Sequence, residues 1–231
     1  MRARDASCGT RARPARGRAV RSAGRIDCSV PGMSADTTPG LDALALPAAG
    51  DVFPAIVEAA QGTRSKLEYR PGHHVFELSH VLPPGLVFPH DFGFLPSTLA
   101  DDGDPLDVLV FGDEPLPVGA LVSVRIVGAI EAMQRDAPDQ PARRNDRILG
   151  VAQASHRWGG CRGLEDIGAP TLEAIEAFFV LYNRLRGRRF EVLGRGGPQP
   201  AIALIRAGER ARIEAARRRQ PASGDAQAGV P

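Results

Sequence analysis

The central part of this sequence is divided into short apolar stretches by glycine and proline, of which the chain has 26 and 20. The stretches occupy residues 53–58, 66–69, 75–81, 106–111, 120–132 and 148–152. Each has the length of a strand, and no long helical pattern that could serve as a crossover lies between them. Short strands joined by tight turns predict a closed or nearly closed antiparallel barrel.

One segment, between residues 171 and 186, has the periodicity of a helix. Apolar side chains recur there at helical spacing, at Leu172, Ile175, Phe178, Phe179, Tyr182 and Leu185. Thr171 is suited to cap the start of this helix, and Gly187 is suited to end it. Because the aromatic residues share one face, we expect that face to pack against the barrel.

Four carboxylates lie within seven residues, at Asp101, Asp102, Asp104 and Asp107. Crowding of like charges is costly unless a cation neutralises them. Gly103 bends the chain so that these side chains can converge, and converging carboxylates suit a hard divalent cation such as Mg²⁺. A solvated acidic turn is the alternative interpretation. Apolar stretches on both sides favour the cation site, because they place the carboxylates at the end of a core element.

The acidic turn belongs to a longer motif. Residues 88–99 read Phe-Pro-His-Asp-Phe-Gly-Phe-Leu-Pro-Ser-Thr-Leu, and residues 102–110 read Asp-Gly-Asp-Pro-Leu-Asp-Val-Leu-Val. Together they resemble the soluble family I inorganic pyrophosphatases, and the resemblance extends from about residue 53 to about residue 206. It implies a mainly β fold with flanking helices (α+β), in which helices pack outside a small, five-stranded, OB-like closed barrel.

The resemblance also implies an activity and a set of site residues. The activity is Mg²⁺-dependent hydrolysis of inorganic pyrophosphate to two phosphates by a metal-activated water, with Mn²⁺ as an alternative cofactor. By resemblance, Asp104 is the catalytic residue that orients or deprotonates the water, and Asp101 is a solvated neighbour. The metal ligands implied are Asp102, Asp107, Glu58 and Glu68, and the substrate-binding residues are Lys66, Arg147 and Tyr182. Family members commonly form homo-oligomers, so the same is expected here.

Lys66 is distinctive in this sequence even without the resemblance. It is the only lysine in a chain whose other basic residues are all arginines. A compact ammonium group behaves differently from a planar guanidinium, so its retention indicates a specific role, and by resemblance Lys66 lies at a phosphate-contacting position. Chance retention on a strand surface is the alternative.

Several positions depart from the family pattern. His80 stands in place of an arginine, Phe88 and Phe92 in place of tyrosines, Gln134 near an acidic metal-site loop, and Asn183 in place of a lysine. An Asp-x-Lys motif becomes Asn145-Asp146-Arg147. Acidic ligands could be restored by Asp136, Asp139 or Asp146, and phosphate contacts by Arg143 or Arg144. Two alternatives therefore stay open, namely a non-catalytic relative that binds metal and phosphate, and a hydrolase of another phosphoanhydride.

Charge divides the chain into three parts. Residues 1–32 carry eight Arg and two Asp, and residues 206–231 carry six Arg and three acidic residues. Because the whole chain has a formal charge of +2, the part between them has a charge of −7, which favours cation binding over nucleic acid. We expect a disordered leader and linker over residues 1–50, a pyrophosphatase domain over 51–206, and a basic, loosely structured tail over 207–231.

The leader has three interpretations. Translation starting at Met33 is favoured, and an organelle transit peptide or a nucleic-acid-binding arm are the alternatives. No stretch has the length and hydropathy of a membrane span or signal peptide. Cys8, Cys28 and Cys161 share no metal-ligand spacing, so a reducing, cytoplasmic location is expected.

Overall fold

A computed structural model describes residues 40–219. Its strands are β1 (Val52–Ala59), β2 (Ser65–Arg70), β3 (Val75–Val81), β4 (Asp91–Phe94), β5 (Asp107–Phe111), β6 (Leu121–Arg135), β7 (Arg143–Arg144), β8 (Arg147–Ala152) and β9 (Arg189–Gly196). Its helices are α1 (Leu164–Ile167), α2 (Ala169–Leu185) and α3 (Pro198–Arg219), with a 3-10 turn at Leu41–Ala43. The predictions for residues 1–39, including a start at Met33, and for residues 220–231 lie outside the described part.

Five strands are joined in a ring of hydrogen-bonded pairs. Around this ring, β1 pairs with β4, β4 with β5, β5 with β8, β8 with β6, and β6 again with β1. The β5–β8 pair is parallel, so the expectation of a wholly antiparallel arrangement is wrong. The reason is geometric: strand direction cannot alternate around a ring with an odd number of members. Strands β7 and β9 extend the sheet from β6, and β2 and β3 form a separate hairpin.

All six predicted strand segments form strands, whereas β4, β9 and the two-residue β7 were not predicted. Strand β4 is only four residues long and contains Gly93, which the backbone of β1 approaches closely. A Cβ atom at Gly93 would lie 1.8 Å from the carbonyl oxygen of Ile56. Strand β9 follows a run of arginines and is exposed on alternate residues, so its sequence lacks a clear apolar pattern. Both strands depend on their partners more than on local sequence.

Helix α2 begins two residues before the predicted start. Its N-cap is Gly168, and Pro170 lies in the first turn, so Thr171 is inside the helix and is not its cap. The predicted end is confirmed, because Gly187 follows the helix with a φ of +74°, a backbone conformation that glycine adopts at little cost. The aromatic face is buried, as expected, with Phe178 and Phe179 inside the core.

Alternate side chains of β5 enter two apolar clusters, as the pleat of a strand requires. Leu109 and Phe111 pack in a cluster that includes the buried face of α2. Val108 and Val110 pack in a second cluster that includes Ala201 and Ile205 of α3. Residues on both faces of this strand are therefore buried, which fixes the position of the acidic turn at its start.

Two predicted boundaries need correction. Residues 40–50 are not a detached linker, because Leu41 and Leu44 pack against a cluster of Ile56, Tyr69 and Phe94. The predicted boundary at residue 206 lies inside α3, which continues through residue 219. The sequence suggested otherwise because one segment is short and the other is rich in charge. In the range 40–219, no helix has the length and apolar character needed to cross a membrane.

Candidate active site

A cavity of about 250 Å³ collects the acidic and basic side chains of several strands. It lies between the β2–β3 hairpin, the end of β1 and the acidic turn before β5. Five of the predicted site residues line it, namely Glu58, Lys66, Glu68, Asp104 and Asp107. Three others, Asp102, Arg147 and Tyr182, are not among its lining residues. Strand pairing thus brings together residues that are up to 49 positions apart in the sequence.

Lys66 lies at the centre of this group, beside carboxylates. Its Nζ is 3.6 Å from Oε2 of Glu58 and 5.1 Å from the centre of the Phe92 ring. Burial alone would lower the pKa of Lys66, but the charges of Glu58 and Asp107 outweigh it and hold that pKa above its ordinary value. The ammonium group is therefore charged and directed at the acidic side of the cavity.

Glu58 is the most perturbed carboxyl group of the site. Its side chain is buried, and its Oε1 accepts a hydrogen bond from the backbone N–H of Tyr69 at 3.2 Å. Burial raises the pKa of Glu58 to about 7, although the charge of Lys66 acts in the opposite direction. Such a carboxyl group can hold or release a proton near neutral pH.

The acidic turn holds Asp102 and Asp104 in different environments. Asp102 accepts hydrogen bonds from the backbone N–H of Asp104 at 3.2 Å and from Nδ2 of Asn145 at 3.1 Å. Asp104 faces the cavity and is accessible to solvent. Even so, neighbouring protein atoms displace enough water to raise the pKa of Asp104, and the charge of Asp107 adds to that rise. Gly103 between them has a φ of +94°, which the turn requires.

Arg147 is buried and committed to protein partners. Its Nη1 lies 2.5 Å from Oδ2 of Asp107 and donates to Oδ1 of Asn145. The guanidinium also lies over two rings, 5.0 Å from the centre of Phe179 and 5.2 Å from that of Phe190. With only 3% of the residue exposed, Arg147 orients Asp107 and has little surface left for a substrate.

A directional chain of hydrogen bonds approaches the cavity from α2. Nη1 of Arg186 donates to the hydroxyl of Tyr182 at 2.9 Å, and that hydroxyl lies 2.7 Å from Nε2 of His80. Nδ1 of His80 is 3.2 Å from Oγ of Ser79, which donates to Oε1 of Glu68 at 2.7 Å. Because a carboxylate only accepts, the Ser79 proton points at Glu68, and this sets the direction of the remaining bonds.

These hydrogen-bond directions place a proton on Nδ1 of His80 and leave Nε2 to accept the hydrogen bond from the Tyr182 hydroxyl. The ring is neutral, since burial and then the charge of Arg186 lower the pKa of His80 to about 4. For Glu68, burial alone would raise the pKa. The Ser79 hydrogen bond and the charge of Lys66 outweigh burial and lower the pKa of Glu68 below its ordinary value. The sequence analysis identified His80 as a departure from the family pattern but did not predict this series of hydrogen bonds.

Three further departures from the family pattern, Phe88, Phe92 and Asn183, are buried in the protein interior. Phe88 and Phe92 stack with centroids 5.7 Å apart and are buried in the cluster that contains α2. Asn183 is buried and donates from Nδ2 to the carbonyl oxygen of Phe179. None of these three residues lines the cavity, and Phe88 and Phe92 belong to the apolar core.

Neither Asp136 nor Asp146 restores an acidic ligand. Asp136 accepts from Gln134 at 2.9 Å and pairs with Arg143, while Asp146 pairs with Arg144 at 2.6 Å. Asp139 is exposed in the loop between β6 and β7. The predicted phosphate contacts of Arg143 and Arg144 are therefore not supported by this arrangement.

The carboxylates are held by protein cations and amides instead of being gathered around one point. Among residues 40–219, no three carboxylate, imidazole or thiolate side chains form a ready-made metal site. The donor set nevertheless fits a hard divalent cation. Carboxylate oxygens of Glu58, Glu68, Asp104 and Asp107 border one cavity, and Mg²⁺ prefers oxygen ligands of this kind while keeping several waters.

Two cavity residues come from segments that were predicted to lie outside the domain. Asp42 of the 3-10 turn and Arg212 of α3 both line the cavity, and Nη2 of Arg212 is 2.8 Å from Oδ2 of Asp42. Arg70 also lines it, with its side chain between Glu68 and Glu77. No motif marked these positions, because their placement depends on how the ends of the domain pack together.

Comparisons with known proteins converge on one family. The model of the family described as inorganic pyrophosphatase matches residues 55–212. An inorganic pyrophosphatase of a Nostoc species is 35% identical over 150 residues, which cover 65% of this chain and 85% of that protein. An inorganic pyrophosphatase from Geobacillus stearothermophilus is 32% identical over 154 residues, which cover 67% of this chain and 90% of that protein. The crystal structure of the Thermus thermophilus inorganic pyrophosphatase superposes with a TM-score of 0.69 at 30% identity, covering 75% of this chain and 99% of that one.

Proposed function

Because this chain belongs to the inorganic pyrophosphatase family, it hydrolyses inorganic pyrophosphate, and we propose that the cavity beside the acidic turn is where it does so. One observation carries the proposal: a single cavity collects Glu58, Lys66, Glu68, Asp104 and Asp107 from three separate segments, namely β1, β2 and the acidic turn. Phosphoryl transfer needs charge neutralisation and a positioned water, which carboxylates with bound metal and nearby cations provide.

The chain's own residues have distinct roles in this proposal. Asp104 accepts the proton of the attacking water, since it is the solvent-accessible carboxylate of the turn and its raised pKa makes it a better base. Lys66 binds a phosphate oxygen with its charged Nζ. Asp107, Glu58 and Glu68, which line the cavity, would hold Mg²⁺, which when bound neutralises pyrophosphate and acidifies water. Asp102, a further ligand by resemblance, does not line the cavity and would hold the ion from beside it.

Arg147 and Tyr182 have indirect roles. Arg147 orients Asp107 through the contact at 2.5 Å, so we propose it as a positioning residue of the acidic turn. The Tyr182 hydroxyl has its single proton directed at His80, which leaves no proton for a phosphate oxygen. Both residues therefore support the site from its margin, although the resemblance implies direct substrate contacts.

The wider architecture and setting are also part of the proposal. The ring of five strands is consistent with a small OB-like barrel that carries helices outside it. Val75, Leu78 and Val81 of β3 are each at least half exposed, and such apolar residues suit contact with further copies in a homo-oligomer. We also propose a cytoplasmic location, because the three cysteines of the sequence have no spacing typical of a disulfide framework.

The test is phosphate release from pyrophosphate by the full chain with Mg²⁺, with Mn²⁺ and with a chelator. We expect Asp104→Asn to lower kcat by about 100-fold or more, because general base catalysis is worth that much. Asp101→Asn is the matched control, since Asp101 is exposed in the same turn but does not line the cavity. Unchanged turnover in Asp104→Asn, or an equal loss in Asp101→Asn, would contradict the assigned role.

A further inference from the structure

Arg186 follows the last residue of α2, and its guanidinium contacts Tyr182 on the preceding turn. The residue is exposed, and its Cζ lies 5.4 Å from the centre of the Tyr182 ring. Its Nη1 donates to the Tyr182 hydroxyl at 2.9 Å. The side chain is thus held at two points, by stacking and by a hydrogen bond, which is uncommon for a surface arginine.

Most donors of this guanidinium remain available. An arginine has five N–H donors in a planar fork, and the contact with Tyr182 uses one of them. Within residues 40–219, Tyr182 is the only hydrogen-bond partner of the Arg186 side chain, and no carboxylate forms an ion pair with it. An ordered, unneutralised guanidinium with open donors suits the oxygens of a phosphate.

Hydrogen bonds connect this guanidinium, through Tyr182 and His80, to the Ser79 hydroxyl that donates to Glu68 of the cavity. Arg186 is close enough to His80 for its charge to lower the pKa of that imidazole. Tyr182 is likewise close enough to Lys66 and Asp107 for their charges to affect the pKa of its hydroxyl. Arg186 contacts the Tyr182 hydroxyl and the charge of Lys66 reaches the same group, so a phosphate bound beside this hydroxyl would face two cations.

The hydrogen-bond chain explains why an additional donor is needed here. The Tyr182 proton is directed at His80, and the His80 proton is directed at Ser79, so neither side chain can donate to a phosphate oxygen. Asn183, which follows Tyr182, is buried and turned towards the helix backbone. Among these neighbours, Arg186 is the one with free donors at the surface.

We propose that Arg186 is a further phosphate-binding residue of this enzyme, and that Tyr182 and His80 are positioning residues that hold its guanidinium in place. This inference rests on the proposed function, because it assigns a residue to the substrate of that site. In this proposal the Tyr182 hydroxyl accepts a hydrogen bond from Arg186 and orients its guanidinium, and it does not donate to the substrate.

The experiment compares the full chain with Arg186→Met, Arg186→Lys and a control, Arg184→Met. Met keeps an apolar stem over the Tyr182 ring but removes the charge and the donors. Arg184 is also exposed and lies in the last turn of α2, where its charge likewise favours the helix terminus. Two readouts are taken: the Kd for imidodiphosphate, a non-hydrolysable analogue, by titration calorimetry with Mg²⁺, and the KM and kcat for pyrophosphate.

We expect Arg186→Met to weaken imidodiphosphate binding and to raise KM about tenfold or more, which corresponds to loss of a charge-assisted hydrogen bond. Arg186→Lys should recover part of this loss, because it keeps the charge. Arg184→Met should stay within about twofold of wild type, because salt screens a distant surface charge. Tyr182→Phe should add little in the Arg186→Met background, since the two side chains act as a unit.

Several results would overturn the proposal. They are an Arg186→Met enzyme with unchanged Kd and KM, a loss in kcat alone, and an equal effect of Arg184→Met. A lowered melting temperature with unchanged binding would likewise reduce Arg186 to a structural role. Absence of hydrolysis by the wild type would contradict the proposed function instead, and the imidodiphosphate titration would still decide whether Arg186 binds the phosphates.

Discussion

Replacement of Arg147 by methionine should destabilise this protein strongly, because it leaves Asp107 without its buried partner. The two side chains are 4% and 20% exposed, and their charged atoms lie 2.5 Å apart. Removal of one member of a buried ion pair typically costs about 3–5 kcal/mol. Since Asp107 borders the cavity, water can solvate part of its charge, so we expect the lower end of this range, about 3 kcal/mol.

The aromatic contacts of Arg147 change this value little. The guanidinium lies over the rings of Phe179 and Phe190, and each such contact is worth about 0.5–1 kcal/mol. A methionine at this position retains contact with both rings through its sulfur, which offsets most of that loss. A destabilisation of about 3 kcal/mol corresponds to a fall in melting temperature of roughly 6–12 °C for a domain of this size.

The assay is urea unfolding with a chelator present, so that no divalent ion can neutralise the exposed carboxylate. Arg143→Met is the matched control, because Arg143 pairs with Asp136 but its side chain is 39% exposed. The control should lose less than about 1 kcal/mol, as exposed pairs do. The double variant Arg147→Met/Asp107→Asn should recover part of the loss. Equal losses in Arg147→Met and Arg143→Met, or no recovery in the double variant, would refute the reasoning.

Two further predictions concern stability. Burial, and then the charge of Arg157, lowers the pKa of His90 to about 4, so the unfolded chain takes up the proton first and stability is lost as pH falls from about 6.5 towards 4. Relative to His90→Gln, the wild type should lose about 2 kcal/mol between pH 7.5 and pH 5 in urea unfolding, and parallel curves would contradict this. Gly93→Ala should prevent folding or cost more than about 3 kcal/mol, because its Cβ would lie 1.8 Å from the carbonyl oxygen of Ile56; a circular dichroism melt like that of wild type would count against the close approach.

The local sequence was sufficient for most elements of the fold. Six strands and the main helix follow from apolar periodicity and from glycine and proline breaks, which report on the nearest few residues. The acidic turn was recognisable for the same reason, because its four carboxylates lie within seven residues. Strand β9 was missed because its pairing with the long β6 stabilises it, and its own alternation is weak.

The family could also be read from the motif around the acidic turn, and the comparisons confirm it. The contacts and burial of each site residue could not be read from the sequence. Lys66 and Glu58 are eight positions apart, yet their contact depends on the approach of the β2–β3 hairpin to β1. Arg147 meets Asp107 because β5 and β8 pair in parallel, and its two ring contacts, Phe179 and Phe190, come from α2 and β9.

What the sequence by itself determined was therefore the chemistry available: a cluster of carboxylates, one lysine, and strands short enough to place them at one end of a sheet. The tertiary structure decided which of these groups face the cavity and which are already paired. Tyr182 illustrates the difference, because its residue type suggested a donor to phosphate while its fold neighbours, His80 and Arg186, use its proton and its oxygen. The physical reason is that residue types are local, whereas the direction of a hydrogen bond and the burial of a charge depend on partners that are distant in sequence.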